Sequence, residues 1–131
     1  MLVEEKKEGK DLLLRRKMLT RVNRLTGTGN FNKVKEEGSL FQSESFAIAI
    51  LLRKDKEPSR FGFVISNKIS KRANIRNKIK RILREAVRTS LPELKAGFDV
   101  IFLVKKVVLS KQTKDIMNEV SVVFKKADLF K

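Results

Sequence analysis

The residues best placed to do chemistry lie between Asn67 and Arg88, in the segment NKISKRANIRNKIKRILREAVR. It holds nine basic residues, Lys68, Lys71, Arg72, Arg76, Lys78, Lys80, Arg81, Arg84 and Arg88, against one acid, Glu85. The whole chain has 31 Lys and Arg against 15 Asp and Glu, a net charge of +16. These 22 residues contribute +8, half of that excess. Like charges held so close repel one another. A polyanion relieves the repulsion, because each neutralised phosphate releases a condensed counterion. The chemistry indicated is recognition of a phosphate backbone.

Wound as a helix at about 100° per residue, the segment separates into two sides. Ile75, Ile79, Ile82, Leu83 and Ala86 share a stripe. Asn77, Arg81, Arg84 and Arg88 fall opposite, with Arg76 and Lys80 on one flank of the stripe and Lys78 on the other. One side is suited to a core and the other to phosphates and base edges. The plainer reading, a solvated face of a basic helix, explains the amphipathicity but not the one-sided sign of the charge.

Composition narrows the function classes. The chain has 131 residues, no cysteine and no histidine. A disulfide framework, a cysteine zinc site and a Ser-His triad are therefore all ruled out. Hydrolysis by the protein itself would require carboxylates or lysines. Asp99, Asp115 and Glu119 are the acids nearest candidate element ends, and their spacing suggests no metal cluster. The longest apolar run, Phe46 to Leu52, has seven residues, far short of a membrane span. The N-terminal stretch MLVEEKKEGKDLLLRRK does not read as a secretory signal. Lack of cysteine suits a cytoplasmic location. No helix-turn-helix or zinc pattern points to DNA.

Elements must hold the basic segment in place. Residues 1–18 read as a mobile charged extension, with one helical turn conceivable at Leu12–Leu14, and 19–131 as a single domain. Thr28 or Asn30 is positioned to cap a short helix running to about Glu36, closed by Gly38, with Phe31 and Val34 inward. Gly38–Ser43 reads as a short strand or extended loop. Phe46–Leu52 reads as a buried strand, followed by a turn through Asp55–Ser59. Phe61–Ser66 reads as the next strand, antiparallel to the one before, with Phe61, Phe63 and Ile65 on one face and Gly62 and Val64 on the other. Asn74 is a candidate N-cap of the basic helix, and Pro92 closes it. Phe98–Val104 is a strand. Ser110 is a candidate cap for a last helix carrying Ile116, Met117, Val120, Val123 and Phe124 on one stripe. The order α-β-β-β-α-β-α implies an α+β two-layer sandwich, mainly antiparallel, with one parallel strand-helix-strand pairing.

The string from Arg76 to Glu85, RNKIKRILRE, closely resembles the signature of the bacterial ribonuclease P protein component. The strand and loop before it, FGFVISNKISKRA from Phe61 to Ala73, match that family in order and spacing. So do Gly97-Phe98-Asp99-Val100 and the early Asn30-Phe31 helix closed by Gly38. The resemblance covers roughly residues 19 to 128. It implies a left-handed crossover in the parallel unit, where the general rule favours a right-handed one. It also implies that an RNA subunit performs cleavage with bound Mg2+, while the protein binds that RNA and the single-stranded 5′ leader of precursor tRNA. The protein is then expected to be monomeric within the ribonucleoprotein, with no membrane or DNA partner.

By the same resemblance, Arg76, Asn77, Lys78, Lys80, Arg81, Arg84 and Arg88 meet the RNA subunit, joined by Lys68, Lys71 and Arg72 from the preceding loop. Asn77 is also of a type to hold the helix start. The implied leader cleft lies between the first helix and the sheet, where exposed aromatics stack on bases. Phe31 matches one aromatic position, and a core role suits it equally. Lys35 and Ala49 stand where relatives carry other aromatics, so charge is expected to replace stacking. Phe41 and Phe46 read as core. The alternative function is a structural RNA-binding protein of ribosomal type, with the same charge and no part in tRNA processing.

Overall fold

A computed structural model describes residues 21–131. The expectations for the extension, including the turn at Leu12–Leu14, lie outside them. The elements are α1 (Thr28–Glu37), β1 (Ser39–Gln42), β2 (Phe46–Leu52), β3 (Arg60–Val64), α2 (Ala73–Ser90), β4 (Phe98–Val104) and α3 (Thr113–Lys126). Their order is the expected α-β-β-β-α-β-α. Short 3-10 turns at Arg21–Asn23, Leu91–Glu93 and Lys106–Ser110 link them.

The four strands lie in the order β1-β2-β4-β3. β1–β2 and β2–β4 pair antiparallel, and β3–β4 pair parallel. β3 thus runs opposite to β2, as expected, but the two are not neighbours: β4 lies between them. A parallel pair needs a long crossover, and the 18-residue α2 supplies it. β4 suits the centre because Asp99 through Phe102 are all buried.

Period-two alternation gives each face its own core. Phe46, Ile48, Ile50, Phe61, Val100 and Phe102 face the long helices, meeting Ile79, Leu83 and Val87 of α2 and Ile116, Val120, Val123 and Phe124 of α3. Phe63, partly buried, stacks on Phe102 with ring centroids 5.3 Å apart. Sheet and long helices are the two layers the sequence predicts. On the other face, Ala49 and Ile101 are covered by Leu25 and by Val34 of α1. This helix lies mainly across β2 and β4, and its Phe31 reaches Gly62 of β3.

Helix starts differ from expectation. Gly27, not Thr28 or Asn30, is the N-cap of α1; its φ of 89° favours glycine, and Asn30 instead donates its side-chain amide back to the Thr26 carbonyl. Arg72, not Asn74, caps α2, and Asn74 lies inside the first turn. Ser70 fixes this start, its Oγ accepting from the Arg72 amide at 3.2 Å. Gln112, not Ser110, precedes α3. The Ser110 hydroxyl donates to the Val107 carbonyl within its own 3-10 turn.

Candidate nucleic-acid interface

The apolar stripe of α2 decides what the basic residues can reach. Ile79, Leu83, Ala86 and Val87 are buried, and Ile75 and Ile82 pack beside them. The helix is thereby clamped to the sheet and to α3. Asn74, Asn77, Lys78 and Arg81 are exposed, as are Lys68, Lys71 and Arg72 on the approaching loop. Lys80 is half-buried. Asn77 makes no side-chain hydrogen bond to any described residue, which leaves its amide available for a base edge or a phosphate.

Three of the arginines are committed within the protein. Arg76 donates from Nη1 to the Ser70 carbonyl at 2.8 Å, bracing the loop that carries Lys68, Lys71 and Arg72. Arg88 pairs with Glu85 one turn earlier. Arg84 is half-buried, and its Nε is buried without a hydrogen-bond partner among the described residues. Burial, then the positive charge of Arg24, lower the basicity of the Arg84 guanidinium. The expectation that Arg84 and Arg88 face solvent opposite the stripe is corrected: α2 rolls far enough onto the sheet to take both partly inside. Arg81 is the arginine of this helix that stands clear.

Arg24 is a functional candidate that the sequence does not single out, since it lies far from the segment 67–88 where the basic charge concentrates. It lies where residues 21–25 run along the free edge of β3. Arg24 bridges Phe61, and the Leu25 amide donates to the Phe61 carbonyl at 2.9 Å. Residues distant in sequence, Arg24 and Arg84, therefore share one side of the sheet.

On the opposite sheet face lies the cleft under α1. Phe31 is half-buried and rests on Gly62, where an added Cβ would collide with its ring. Its ring packs at the border of the small core, and part of it remains in reach of a ligand. Lys35, one turn further along α1, is exposed. Ala49 is only 4% exposed, closed over by the Val34 core. Ala49, expected among the leader contacts, is a floor residue beneath α1. Phe46 is fully buried and Phe41 partly so, both with the main core.

The acids have structural work. Asp99 is 3% exposed, between the end of β2 and the start of β3. Its Oδ1 accepts from Arg53 Nη1 at 2.6 Å and Arg60 Nε at 2.8 Å, and its Oδ2 from Arg60 Nη2 at 2.7 Å. Such charge-assisted bonds are the strong ones. Arg53 also pairs with Asp55, whose carboxyl its guanidinium holds below the usual range. Glu119 binds the β1–β2 turn: Ser43 Oγ and the Ser45 amide donate to Oε2 at 2.6 and 2.8 Å, and Ser45 Oγ to Oε1 at 2.9 Å. Asp115 is exposed in the first turn of α3. The three acids lie on separate elements with separate partners. Asp99 and Glu119 have both oxygens engaged, which does not fit a protein-held Mg2+ site.

Known proteins resemble this chain along most of its length. The family model described as Ribonuclease P matches residues 19–128. The ribonuclease P protein component of Rippkaea orientalis is 31% identical over 115 residues, covering 85% of this chain and 91% of its own. That of Clostridium kluyveri is 30% identical over 112 residues, covering 84% and 98%. Among solved structures, the Staphylococcus aureus RNase P protein superposes with a TM-score of 0.78 at 25% identity, over 85% of this chain and all of the other. The Thermotoga maritima RNase P protein gives 0.71 at 25% identity, over 79% and 96%.

Proposed function

The chain belongs to the ribonuclease P protein family, and from that membership we propose how it serves tRNA processing: it grips two RNAs at once, on the two faces of its sheet. The exposed face of α2, with Asn77, Lys78, Lys80 and Arg81, receives the catalytic RNA subunit. Lys68, Lys71 and Arg72 extend that surface along the loop braced by Arg76. The cleft under α1, with Phe31 and Lys35, receives the 5′ leader of precursor tRNA. The two surfaces meet at the β3 edge, where Arg84 of α2 lies near Arg24 and Phe31 rests on Gly62. That meeting is the observation that carries the reading. A rigid sheet with an RNA site on each face fixes the leader relative to the RNA subunit.

In this reading cleavage belongs to the RNA subunit and its Mg2+. The engaged states of Asp99 and Glu119 support that division of labour. Phosphate attraction does most of the holding, from lysine as a point charge and arginine as a fork. The ribosomal-type alternative is disfavoured by the family match. No helix of the described residues is long and apolar enough to cross a membrane, and we place the protein in the cytoplasm with its RNA, one copy per particle.

The test is cleavage of a precursor tRNA at low Mg2+ by the cognate RNA subunit, with and without the protein. A large protein-dependent gain in the single-turnover rate is expected. No gain, with the protein folded and the RNA active at high Mg2+, would overturn the proposal.

A further inference from the structure

A groove of about 590 Å³ lies between α2, the 3-10 turn Lys106–Ser110 and the start of α3. Ile75, Ile79, Ile82, Val108 and Ile116 form its apolar lining, and Leu109, 45% exposed, stands at its margin. Lys78 and Lys111 are the charged residues lining it, and no acid does. Lys111 pairs with Glu44 at 2.7 Å, whereas Lys78 has no ion pair among the described residues. Gln112 and Thr113 add exposed polar side chains where α3 begins, and Gln112 makes no side-chain capping bond there. Of its lining, Lys78 alone belongs to the RNA-facing set described above.

We infer that the groove takes one unpaired nucleotide of the RNA subunit, its base between Ile82 and Leu109 and its phosphate on Lys78. The inference rests on the proposed docking of that RNA on α2. Three features favour this occupant. First, the groove shares a helix with the RNA-facing residues: Lys78 lines it and Arg81 stands on the next turn. RNA held on α2 is then within about one helix diameter, 10–12 Å, of the opening. Second, Lys78, the lining charge with no ion pair among the described residues, is positive, which suits a phosphodiester. Third, an apolar slot with a few polar groups at one end suits a base, which has flat apolar faces and a hydrogen-bonding edge. Gln112 and Thr113 are the groups that could meet that edge. An unpaired nucleotide is required, because only an unstacked base can leave its strand to enter a pocket.

The experiment places a photoreactive amino acid at Leu109, or separately at Arg81, in the full chain assembled with the cognate RNA subunit alone. Both sites are exposed enough to tolerate it. Crosslinking from both, with the Leu109 product mapping to one unpaired nucleotide, is the expected result. Leu109→Asp should also weaken RNA-subunit binding about tenfold, the scale of losing one apolar contact and adding a repulsive charge, with its melting temperature unchanged. Leu109→Met should bind like the parent. If Arg81 crosslinks while Leu109 does not, or Leu109 crosslinks only to a second copy of the protein, the groove assignment falls and the docking on α2 stands. If neither crosslinks to RNA, the docking falls and the inference with it. Normal RNA binding by Leu109→Asp overturns the groove assignment alone.

Discussion

Phe31 of α1 rests on the backbone of Gly62 in β3, so closely that no side chain fits between them. The contact ties the first helix to the strand whose far end leads into the basic loop. It also holds the aromatic ring half-buried at the lip of the cleft.

That geometry makes Gly62→Ala a probe of the cleft. The new methyl must push the ring away, an overpacking cost of about 1–3 kcal/mol. Phe31→Ala removes the ring without that strain. Both variants should lower the ratio of precursor to mature tRNA affinity in the assembled enzyme, since mature tRNA lacks a leader. Base-aromatic stacking contributes about 1–3 kcal/mol per base, so a fall of fivefold or more is expected for Phe31→Ala. A ratio unchanged while the melting temperature drops would make Phe31 a core residue only.

Lys35 should act through charge. Lys35→Ala should weaken leader binding. Lys35→Phe should restore affinity and make it less dependent on salt, because stacking is not screened as a phosphate contact is. Affinity for precursor tRNA at two salt concentrations measures this. Equal salt dependence for parent and Lys35→Phe would place Lys35 away from the leader.

On α2, the arginines should separate by burial. Arg81→Glu should sharply weaken binding of the RNA subunit and leave thermal stability unchanged, because the side chain is exposed. Arg84→Glu should affect both, since its Nε is already buried without a hydrogen-bond partner among the described residues. For five or six phosphate contacts, log affinity of the parent should fall with log salt at a slope of roughly −4 to −5. A slope near zero, or a melting temperature lowered by Arg81→Glu, would contradict the assignment.

Asp99 should matter for folding and not for cleavage. Asp99→Ala leaves Arg53 and Arg60 without their shared carboxylate, and breaking a buried pair in this way costs up to about 3–5 kcal/mol. The loss should appear in urea unfolding. At a temperature where the variant is folded, the single-turnover rate at saturating protein should match the parent. Asp115→Asn and Glu119→Gln should likewise cleave normally, with Glu119→Gln less stable because it holds Ser43 and Ser45. A rate loss of several orders of magnitude in any of the three, with assembly intact, would assign cleavage chemistry to the protein.

Much of this was legible in the chain itself. Strands and helices follow from the spacing of apolar residues, a local property that survives without knowledge of neighbours. The two faces of β3, with Phe61 and Phe63 on one and Gly62 and Val64 on the other, follow from the same period. The polyanion preference follows from net charge, which needs no geometry. The helix starts were less legible, because several polar residues stand near each one. Gly27 prevailed through backbone freedom, and Arg72 through a hydrogen bond from its amide to Ser70.

Only the tertiary structure separated available from engaged charges. Arg76, Arg81, Arg84 and Arg88 look alike in sequence. Packing gave Arg76 a carbonyl to brace, Arg88 an acid, and Arg84 a buried nitrogen beside Arg24, and left Arg81 in water. Likewise, Asp99 became a clasp because β4 enters the sheet between β2 and β3, bringing Arg53 and Arg60 to the same carboxylate. Strand order and the roll of a helix are set by how whole surfaces fit together. A side chain's desolvation and its partners depend on that fit, so they cannot be read from its own stretch of sequence.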